Sequence, residues 1–356
     1  MMKREKLGLE YGPYVRPGGI LLALFVALGM WQPQAAAQEI PIYKADPWWP
    51  KTLPATVDAD GEVHQWVLGQ PGGVCVDSQD HVFVWNRGWQ QGNLGKLVNE
   101  GSTSIAAPPV IEFDPEGNLI DSWGDATISP PRADVSYGAS AVLPESAHGC
   151  WVDYEDNIWL VGNEDGQVQK WSHDGTRMLL PIGTKGVCDG AANATPQKAY
   201  PSCGEPGHNS SQTLLNAPAD IWVDPGPDPV TGQIGSVYIA DGYGNYRVVV
   251  FDAQGKFLRQ MGNGPGSGPG QFVVRGGGHP HCVRVSNDGF VYACDRGQNR
   301  IHVFDKMGNF LKTLPVDPPG FMKANSRATN LEFSRDPAQT WMFISDIGSM
   351  HLWVMK

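Results

Sequence analysis

The sequence predicts an all-β fold built from repeated four-stranded units, and three observations support this prediction. Glycine and proline are abundant, with 44 and 29 residues in a chain of 356. Apolar and polar side chains alternate over short stretches bounded by turn residues, while helical periodicity is hard to find. Strands of one type, such as VYIAD (237–241) and VYACD (291–295), recur along the chain. A fold made of structural repeats is therefore expected.

The first 37 residues have the pattern of a secretory signal peptide. Four basic residues precede an apolar run over 18–31, and small residues follow at 35–37. The run is shorter than the roughly 20 residues that a membrane-spanning helix needs, which favours cleavage after Ala37 over a retained anchor. We therefore expect a secreted or periplasmic protein with no membrane span after cleavage, in which residues 38–356 form a single domain.

The charge of the expected mature protein limits its partners. Removal of residues 1–37 takes away four basic and two acidic side chains, so the formal net charge moves from -11 to -13. An acidic protein of this kind is not expected to bind nucleic acid or anionic lipid. Neutral or cationic small molecules and metal ions are more plausible partners.

Five repeat units can be aligned, at residues 72–87, 148–180, 219–262, 281–314 and 329–356. Each begins with an alternating strand that ends in Asp or Ser, turns through a polar step and continues into a second strand. The third and fourth units add a strand such as RVVVFD (247–252) and a last strand such as KFLRQMG (256–262). Four short antiparallel strands per unit are typical of a β-propeller. Because one blade cannot bury both faces of its sheet alone, the blades form one cooperative domain.

The fifth unit contains one strand fewer than the third and fourth units, and no sixth unit follows it. Three explanations remain open. The favoured one is truncation or a frame shift in a six-bladed ancestor. Alternatively, the segment 40–68, in which WVLG is the most strand-like part, completes a blade and closes a smaller ring. In the third, a protein partner covers the open edge of the propeller.

The six cysteines are expected to play two different roles. Cys188 and Cys203 flank a polar loop, and in an exported chain they are candidates for a disulfide that closes it. The remaining four lie in strand-like runs and are expected to be small buried apolar residues. They are Cys75, Cys150, Cys282 and Cys294.

Two stretches, ADGYGNYRVVVFDAQG (240–255) and CDRGQNRIHVFDKMG (294–308), resemble NHL-repeat propellers. A closer likeness covers most of residues 67–314. The stretches LGQPGGVCVDSQDHVFVWNRG, HGCWVDYEDNIWL, DGYGNYRVVVFDAQGKF and GPGQF followed by PHCVRV look, in this order, like six-bladed propellers that include the peptidyl-hydroxyglycine alpha-amidating lyases. The resemblance implies a six-bladed ancestry. It implies function less strongly, because one fold serves many functions.

Histidine recurs at one position of the repeat. The residue five positions before the Asp or Ser that ends each first strand is, in chain order, Gly72, His148, Ala219, His281 and Thr329. Alternate blades of a six-bladed ring lie about 120° apart, so equivalent side chains converge on the axis. Three imidazoles with one open position are what a catalytic zinc site requires. Here only two are visible, because the third histidine of the lyase pattern is absent and a threonine is a poor zinc ligand.

The lyase resemblance implies that His148 and His281 bind zinc or another divalent transition metal, with His279 as a supporting loop residue. The alternative is that both histidines are polar residues that line a wet central channel. The resemblance also implies that Arg87, in VWNRG, orients the substrate and that Tyr243, in DGYGN, is the catalytic tyrosine. Alternatively, Arg87 pairs with an acid at a strand end, and Tyr243 caps its turn.

The carbonyls of Val74 and Cys150 match positions that hold a structural calcium in the amidating lyases. Taken together, the resemblance implies a metal-dependent lyase that acts in the central channel. Its substrate would be a small molecule or a peptide-like one that carries a hydroxyl or an amide. The alternative is a non-catalytic propeller that binds a ligand or a protein partner and whose metal site has decayed.

Overall fold

The computed structural model describes residues 43–87, 104–124, 143–144, 146–163, 165–189, 209–273, 279–317 and 327–356. The chain divides into two units, Met1–Pro47 and Trp48–Lys356. The predicted signal peptide, with its cleavage site after Ala37, lies outside the described residues. Within the described residues, no helix has the length and apolar character needed to cross a membrane.

The described residues form 22 strands in six sheets, of which five are the predicted repeat units and one is N-terminal. The N-terminal sheet consists of β1 (Ala55–Val57), β2 (Val63–Val67) and β5 (Ser104–Ala106). Blade 1 consists of β3 (Pro71–Val76), β4 (Val82–Asn86), β6 (Val110–Phe113) and β7 (Leu119–Trp123). Blade 2 consists of β8 (Ala147–Val152), β9 (Ile158–Gly162), β10 (Gln167–Trp171) and β11 (Met178–Gly183). Blade 3 consists of β12 (Asp220–Asp224), β13 (Ser236–Asp241), β14 (Arg247–Phe251) and β15 (Phe257–Met261). Blade 4 consists of β16 (Pro280–Val285), β17 (Phe290–Asp295), β18 (Arg300–Asp305) and β19 (Phe310–Pro315). Blade 5 consists of β20 (Ala328–Phe333), β21 (Met342–Asp346) and β22 (His351–Met355).

The order of contacts between sheets is that of a propeller. Within each blade, neighbouring strands pair antiparallel. The first strands of successive blades contact one another in the order β3, β8, β12, β16 and β20, so they are the inner strands around a common axis. The predicted all-β propeller with five recognisable blades is confirmed.

Each blade is buried by its neighbours through alternation along its strands. In β13, Val237 and Ile239 pack into the core shared with blade 2. Tyr238 and Ala240, which point to the opposite face, pack into the core shared with blade 4. Because both faces of the sheet are covered, a central strand such as SVYIAD is buried along its whole length.

The N-terminal sheet covers the face of blade 1 that points away from blade 2. Its Trp66 and Ile105 pack against Val84, Ile111 and Phe113 of blade 1. The strand predicted near WVLG is therefore present as β2. It pairs with β1 and, in parallel, with β5, and not with a strand of blade 5.

Blade 5 has three strands, one fewer than each of blades 1 to 4. One face packs on blade 4 through residues such as Leu331 and Ile344. Its other face lines a cavity of about 580 Å³ with Phe343 and Leu352, and the inner strand of blade 1 contributes Val74 to the same cavity. Both ends of the ring of blades therefore border this cavity.

Four of the cysteines are buried, as expected, but they are not separate small apolar residues, because they form two disulfides. Cys75 and Cys150 form a disulfide between the inner strands of blades 1 and 2, with Cα atoms 5.5 Å apart. Cys282 and Cys294 form a second disulfide between β16 and β17, with Cα atoms 5.0 Å apart. Each pair lies on neighbouring strands at a separation that a disulfide spans. Sequence position alone does not reveal this proximity.

The predicted disulfide between Cys188 and Cys203 stays a prediction. Cys188 is disulfide-bonded, while Cys203 lies outside the described residues.

Candidate functional site

The two histidines at the repeated position lie where the inner strands begin. His148 is the second residue of β8, and His281 is the second residue of β16. The pairing of each strand with its neighbour shifts register at this point. A β-bulge leaves its extra residue outside the ladder and re-aims the side chain, which frees both imidazoles to point away from the sheet.

The same register shift occurs in blades 1 and 5. There the residues skipped by the ladder are Gly72 and Thr329, which hold the equivalent position. The irregularity thus belongs to the repeat, and the side chain at this position decides what each blade contributes. Thr329 contributes no free hydroxyl, because its Oγ1 donates to Ser345 O at 3.0 Å.

Each histidine is oriented by the backbone of the next blade. His148 Nδ1 lies 2.6 Å from Ala219 O, and His281 Nδ1 lies 2.7 Å from Thr329 O. A carbonyl can only accept, so each Nδ1 carries the hydrogen and each Nε2 has a free lone pair. This arrangement of backbone acceptor and imidazole is the one found behind metal-binding histidines.

Tyr243 enters the site on a turn that only glycine permits. The turn follows β13, and a Cβ atom on Gly242 would lie 1.9 Å from Pro280 O. A Cβ atom on Gly244 would lie 2.1 Å from Asn216 Oδ1. Gly242 therefore lets the backbone approach blade 4 closely, and Gly244 lets it approach Asn216, with the tyrosine between them directed at the histidines.

The hydroxyl of Tyr243 lies at the centre of the site. It is 3.0 Å from His148 Nε2 and 3.0 Å from His281 Nε2. The guanidinium of Arg296 donates a hydrogen bond to the same hydroxyl, also at 3.0 Å. The ring of His279 packs on the ring of Tyr243 with centroids 4.1 Å apart. The structure thus brings His148, His281 and Tyr243 together, as the resemblance implies.

Arg87 directly follows β4 and reaches the same end of the channel. Its Nε donates a hydrogen bond to Ala147 O, the residue before His148. Its positive charge also acts on both His148 and His281. The structure therefore places Arg87 beside the two histidines.

Burial keeps both imidazoles neutral. Burial holds the pKa of His148 well below its ordinary value, and the neighbouring His281 and Arg87 lower it further. Burial likewise lowers the pKa of His281 to about 3, with a further contribution from the charge of Arg296. A neutral imidazole is the form that binds metal.

The hydrogen bonds of this cluster leave one lone pair without a hydrogen. Both Nε2 atoms are acceptors, and the single hydrogen of the Tyr243 hydroxyl can reach only one of them. Arg296 already occupies a lone pair of the hydroxyl as a donor. The second Nε2 therefore faces oxygen lone pairs. A divalent metal accepts nitrogen lone pairs and would remove this conflict, so the residues present fit a metal.

The predicted calcium ligands lie on adjacent inner strands, Val74 on β3 and Cys150 on β8. Cys150 is buried, whereas Val74 is 57% exposed and lines the cavity beside blade 5. Calcium binding by their carbonyls remains a prediction.

Sequence reasoning missed Arg296 and gave His279 only a supporting role. Arg296 lies in the turn after β17, and its main-chain nitrogen donates to His279 O at 3.3 Å. Its Nε is buried and has no hydrogen-bond partner. The repeat held a signal, because Arg296 directly follows Asp295 where the equivalent loop has Gly242 after Asp241.

Comparison with known proteins supports the sequence resemblance. Residues 278–304 match the family model of the NHL repeat. Peptidyl-glycine alpha-amidating monooxygenase B of Xenopus laevis is 25% identical over 259 residues, which cover 69% of this chain and 24% of that protein. A Caenorhabditis elegans protein named "Probable peptidyl-alpha-hydroxyglycine alpha-amidating lyase" is 24% identical, over 71% of this chain and 60% of its own. NHL repeat-containing protein 3 of Homo sapiens is 25% identical, over 60% and 50%.

The chain spans about a quarter of the length of the monooxygenases it matches. Among solved structures, virginiamycin B lyase of Staphylococcus aureus aligns over 81% of this chain and 70% of its own, with 13% identity and a TM-score of 0.42. A Bacteroides caccae protein of unknown function aligns over 81% and 76%, with 7% identity and a TM-score of 0.44. Likenesses this distant do not bear on function.

The match to the NHL model coincides with β16 to β18, a stretch that contains His281 on β16 and Arg296 in the turn after β17. The likeness to the amidating lyases extends over about two thirds of the chain. The chain is thus a β-propeller protein that contains a match to the NHL repeat and is similar in sequence to peptidyl-alpha-hydroxyglycine alpha-amidating lyases.

Proposed function

We propose that the protein is a metal-dependent lyase that acts on a small substrate of the alpha-hydroxyglycine type. The observation that carries this proposal is the placement of one tyrosine hydroxyl 3.0 Å from the Nε2 atoms of two neutral histidines. The similarity to a relative named as an alpha-amidating lyase supports it.

His148 and His281 would hold the metal through Nε2. When bound there, zinc supplies Lewis acidity, which lowers the pKa of a substrate hydroxyl. The hydrogen bonds from Nδ1 to Ala219 O and Thr329 O keep both rings in the orientation that this role needs.

Tyr243 is the proposed general base. In its phenolate form it accepts the proton of the substrate hydroxyl, and the hydrogen bond from Arg296 stabilises the negative charge on the phenolate oxygen. Arg87, whose charge acts on both histidines, would hold the substrate carboxylate.

The reaction balances without an external oxidant or reductant. The hydroxyl oxygen of the substrate keeps its electron pair and becomes a carbonyl as the adjacent carbon–nitrogen bond breaks. The departing amide nitrogen takes up one proton, which Tyr243 returns. The products are a primary amide and a 2-oxo acid, in which the 2-oxo group is an aldehyde.

The test is turnover of N-benzoyl-alpha-hydroxyglycine by zinc-loaded protein, with release of benzamide and glyoxylate measured by chromatography. We expect Tyr243→Phe to lower kcat on the order of 100- to 10,000-fold, because loss of a general base removes that much. Tyr246→Phe, three residues along the same turn, is the matched control and should keep the rate. Absence of product from zinc-loaded wild-type protein would contradict the proposal, and so would an unchanged rate in Tyr243→Phe.

A second candidate is a non-catalytic propeller that binds a ligand or protein partner. It is favoured by Thr329, which holds the repeated position in blade 5, has no imidazole to offer and has its hydroxyl bonded to Ser345 O. The similarity to NHL repeat-containing protein 3 is compatible with it. Ligand binding that persists in a His148→Ala, His281→Ala double variant, without turnover in wild-type protein, would identify this alternative.

We also propose export, a structural calcium ion and a protein partner. Export to a secreted or periplasmic location is supported by the two disulfides within the described residues, since such bonds persist in oxidising compartments. Structural calcium at the carbonyls of Val74 and Cys150 is supported by the adjacency of their strands. A protein partner on the open edge is supported by the partly exposed outer face of blade 5.

A further inference from the structure

A second group of metal-binding side chains lies between blades 1 and 2, at the opposite end of the inner strands from the histidine site. Its members are Asp77, directly after β3, His81 in the following turn, Glu112 on β6 and His173 in the turn after β10. Ligand atoms of Asp77, Glu112 and His173 all lie within 4.8 Å of one another. These four residues are called the blade 1 cluster below.

The donor atoms of the blade 1 cluster are spaced as ligands of one ion would be. His81 Nδ1 lies 2.9 Å from Glu112 Oε1 and 3.3 Å from Asp77 Oδ2. His173 Nε2 lies 3.0 Å from the same Asp77 oxygen. Ligands at about 2.0 Å from a tetrahedral zinc ion are roughly 3.3 Å from one another. Asp77, Glu112 and His173 are close enough together to surround one ion, and His81, which contacts both carboxylates, could become a fourth ligand after a small shift.

The two carboxylates are buried without a permanently charged partner. Asp77 is 4% exposed and Glu112 is 5% exposed. Asp77 Oδ1 accepts hydrogen bonds from the main-chain nitrogens of Gln79 and His81, both at 2.8 Å. Within the described part of the chain, the ion-pair partners of Asp77 Oδ2 and of Glu112 are His81 and His173. Burial of two negative charges is costly unless a cation or hydrogen bonds compensate for them, so a cation bound beside Asp77 Oδ2 and Glu112 would be stabilised.

In blade 2, a lysine neutralises the equivalent buried aspartate. Asp153 directly follows β8 as Asp77 directly follows β3, and Lys170 Nζ lies 3.0 Å from the carboxylate of Asp153. Lys170 and Glu112 hold equivalent positions, since each pairs with the residue six places after the strand-end aspartate. Blade 1 thus carries a second carboxylate where blade 2 carries the neutralising ammonium.

A second lysine of the repeat is also replaced beside Asp77, this time on the neighbouring blade. Lys306, in the turn between β18 and β19 of blade 4, reaches back to Asp224 of blade 3 at 2.6 Å. His173, in the equivalent turn of blade 2, reaches back to Asp77 of blade 1. At the two positions where other blades have lysine, blade 1 has Glu112 and blade 2 has His173, and both residue types are common metal ligands.

We propose that the blade 1 cluster binds one divalent transition metal ion that joins blades 1 and 2. Two imidazole nitrogens and two carboxylate oxygens form a ligand set suited to zinc and other first-row ions. Both histidines are partly exposed, with side-chain exposures of 22% and 35%, which leaves an entry path from solvent. This inference is independent of the proposed function, since no residue is shared with the histidine site.

The test variant is Glu112→Lys, which gives blade 1 the arrangement of blade 2. The new ammonium can pair with Asp77, so the fold should be retained while the zinc site is lost. Zinc bound per chain is measured by plasma mass spectrometry after equilibrium dialysis at micromolar free zinc. We expect Glu112→Lys to lose one equivalent and His81→Gln to weaken affinity on the order of 100-fold.

Two further variants separate this site from the histidine site. His64→Gln alters a simple histidine–aspartate pair, in which His64 Nε2 lies 3.0 Å from Asp58, and should leave the zinc content unchanged. The His148→Ala, His281→Ala double variant should still bind the equivalent that Glu112→Lys removes. If instead the double variant loses all zinc, the blade 1 cluster does not bind it and the proposed function is untouched.

A direct measurement that needs no variant is an anomalous difference map at the zinc edge from crystals grown with zinc. A peak among Asp77, His81, Glu112 and His173 supports the proposal. No peak there overturns it, and would mean that protonated histidines alone neutralise the two carboxylates.

Discussion

The repeated position near the start of the inner strand has the same backbone geometry in four blades but carries different side chains. A bulge in four blades leaves this residue outside the ladder. Glycine, histidine or threonine then decides whether the blade contributes no side chain, an imidazole or a hydroxyl that bonds within its own sheet. Chemistry at the axis can therefore change one residue at a time, without a change in the blades.

Buried histidines also set how stability depends on pH, and His302 offers the clearest test because it lies outside the site. Its ring is fully buried, and burial lowers its pKa to about 4, although the hydrogen bond to Gln271 O opposes this. The unfolded chain binds the proton first, near pH 6.5. Stability is therefore complete above pH 6.5 and is lost as pH falls through 4.

We predict that the shifted pKa of His302 lowers the free energy of unfolding of the wild-type protein by on the order of 2 to 3 kcal/mol between pH 7 and pH 4. The measurement is the free energy of unfolding in urea at several pH values, for wild-type protein and His302→Gln. The difference between the two proteins should shrink as pH falls. A constant difference over this range would show that His302 is not held neutral.

At the scale of the strand, the two disulfides differ in the length of the loop that each one closes. The bond between Cys75 and Cys150 closes a loop with a sequence separation of 75, whereas that between Cys282 and Cys294 closes one of 12. Loop-closure entropy grows with the length of the loop. The first bond joins two blades, and the second acts within one blade.

We predict that replacing both cysteines of the longer loop by alanine lowers the free energy of unfolding by about 4 kcal/mol, and those of the shorter loop by about 3 kcal/mol. Denaturation in urea without reductant measures both, and each double variant is the control for the other. A larger loss for the shorter loop would mean that packing around the sulfur atoms outweighs chain entropy.

At the scale of the whole molecule, the blades differ in how completely they are covered. Blade 3 packs on blade 2 through one face and on blade 4 through the other. Blade 5 packs on blade 4, and residues of its other face, such as Leu352 at 58% exposure, remain open. Local stability should therefore fall from the centre of the array toward blade 5.

We predict that amides of β13 and β14 exchange roughly 100-fold more slowly than those of β21 and β22, as measured by hydrogen exchange with mass spectrometry. Blade 2, which is also covered on both faces, serves as the internal control and should behave like blade 3. Equal rates in blades 3 and 5 would show that the array opens only as a whole.

The sequence predicts the blades well because strands and turns are determined by residues that are close together in the chain. Alternation in strands such as SVYIAD repeats along the chain, and turns that contain a glycine with positive φ recur in blades 1 to 4. The repeat also places His148 and His281 at one position. It does not reveal the hydrogen bond from Arg296 to Tyr243, the disulfide between Cys75 and Cys150 or the N-terminal sheet on blade 1, because each depends on contacts between distant segments.

The hydrogen bonds from His148 to Ala219 and from His281 to Thr329 connect the site to blades 3 and 5. A ligand on the two Nε2 atoms polarises each ring and strengthens these bonds. Binding at the axis is then thermodynamically linked to the docking of blade 5, and the linkage is reciprocal. Whatever secures blade 5 on blade 4 should raise affinity at the axis by the same factor by which a bound ligand secures blade 5.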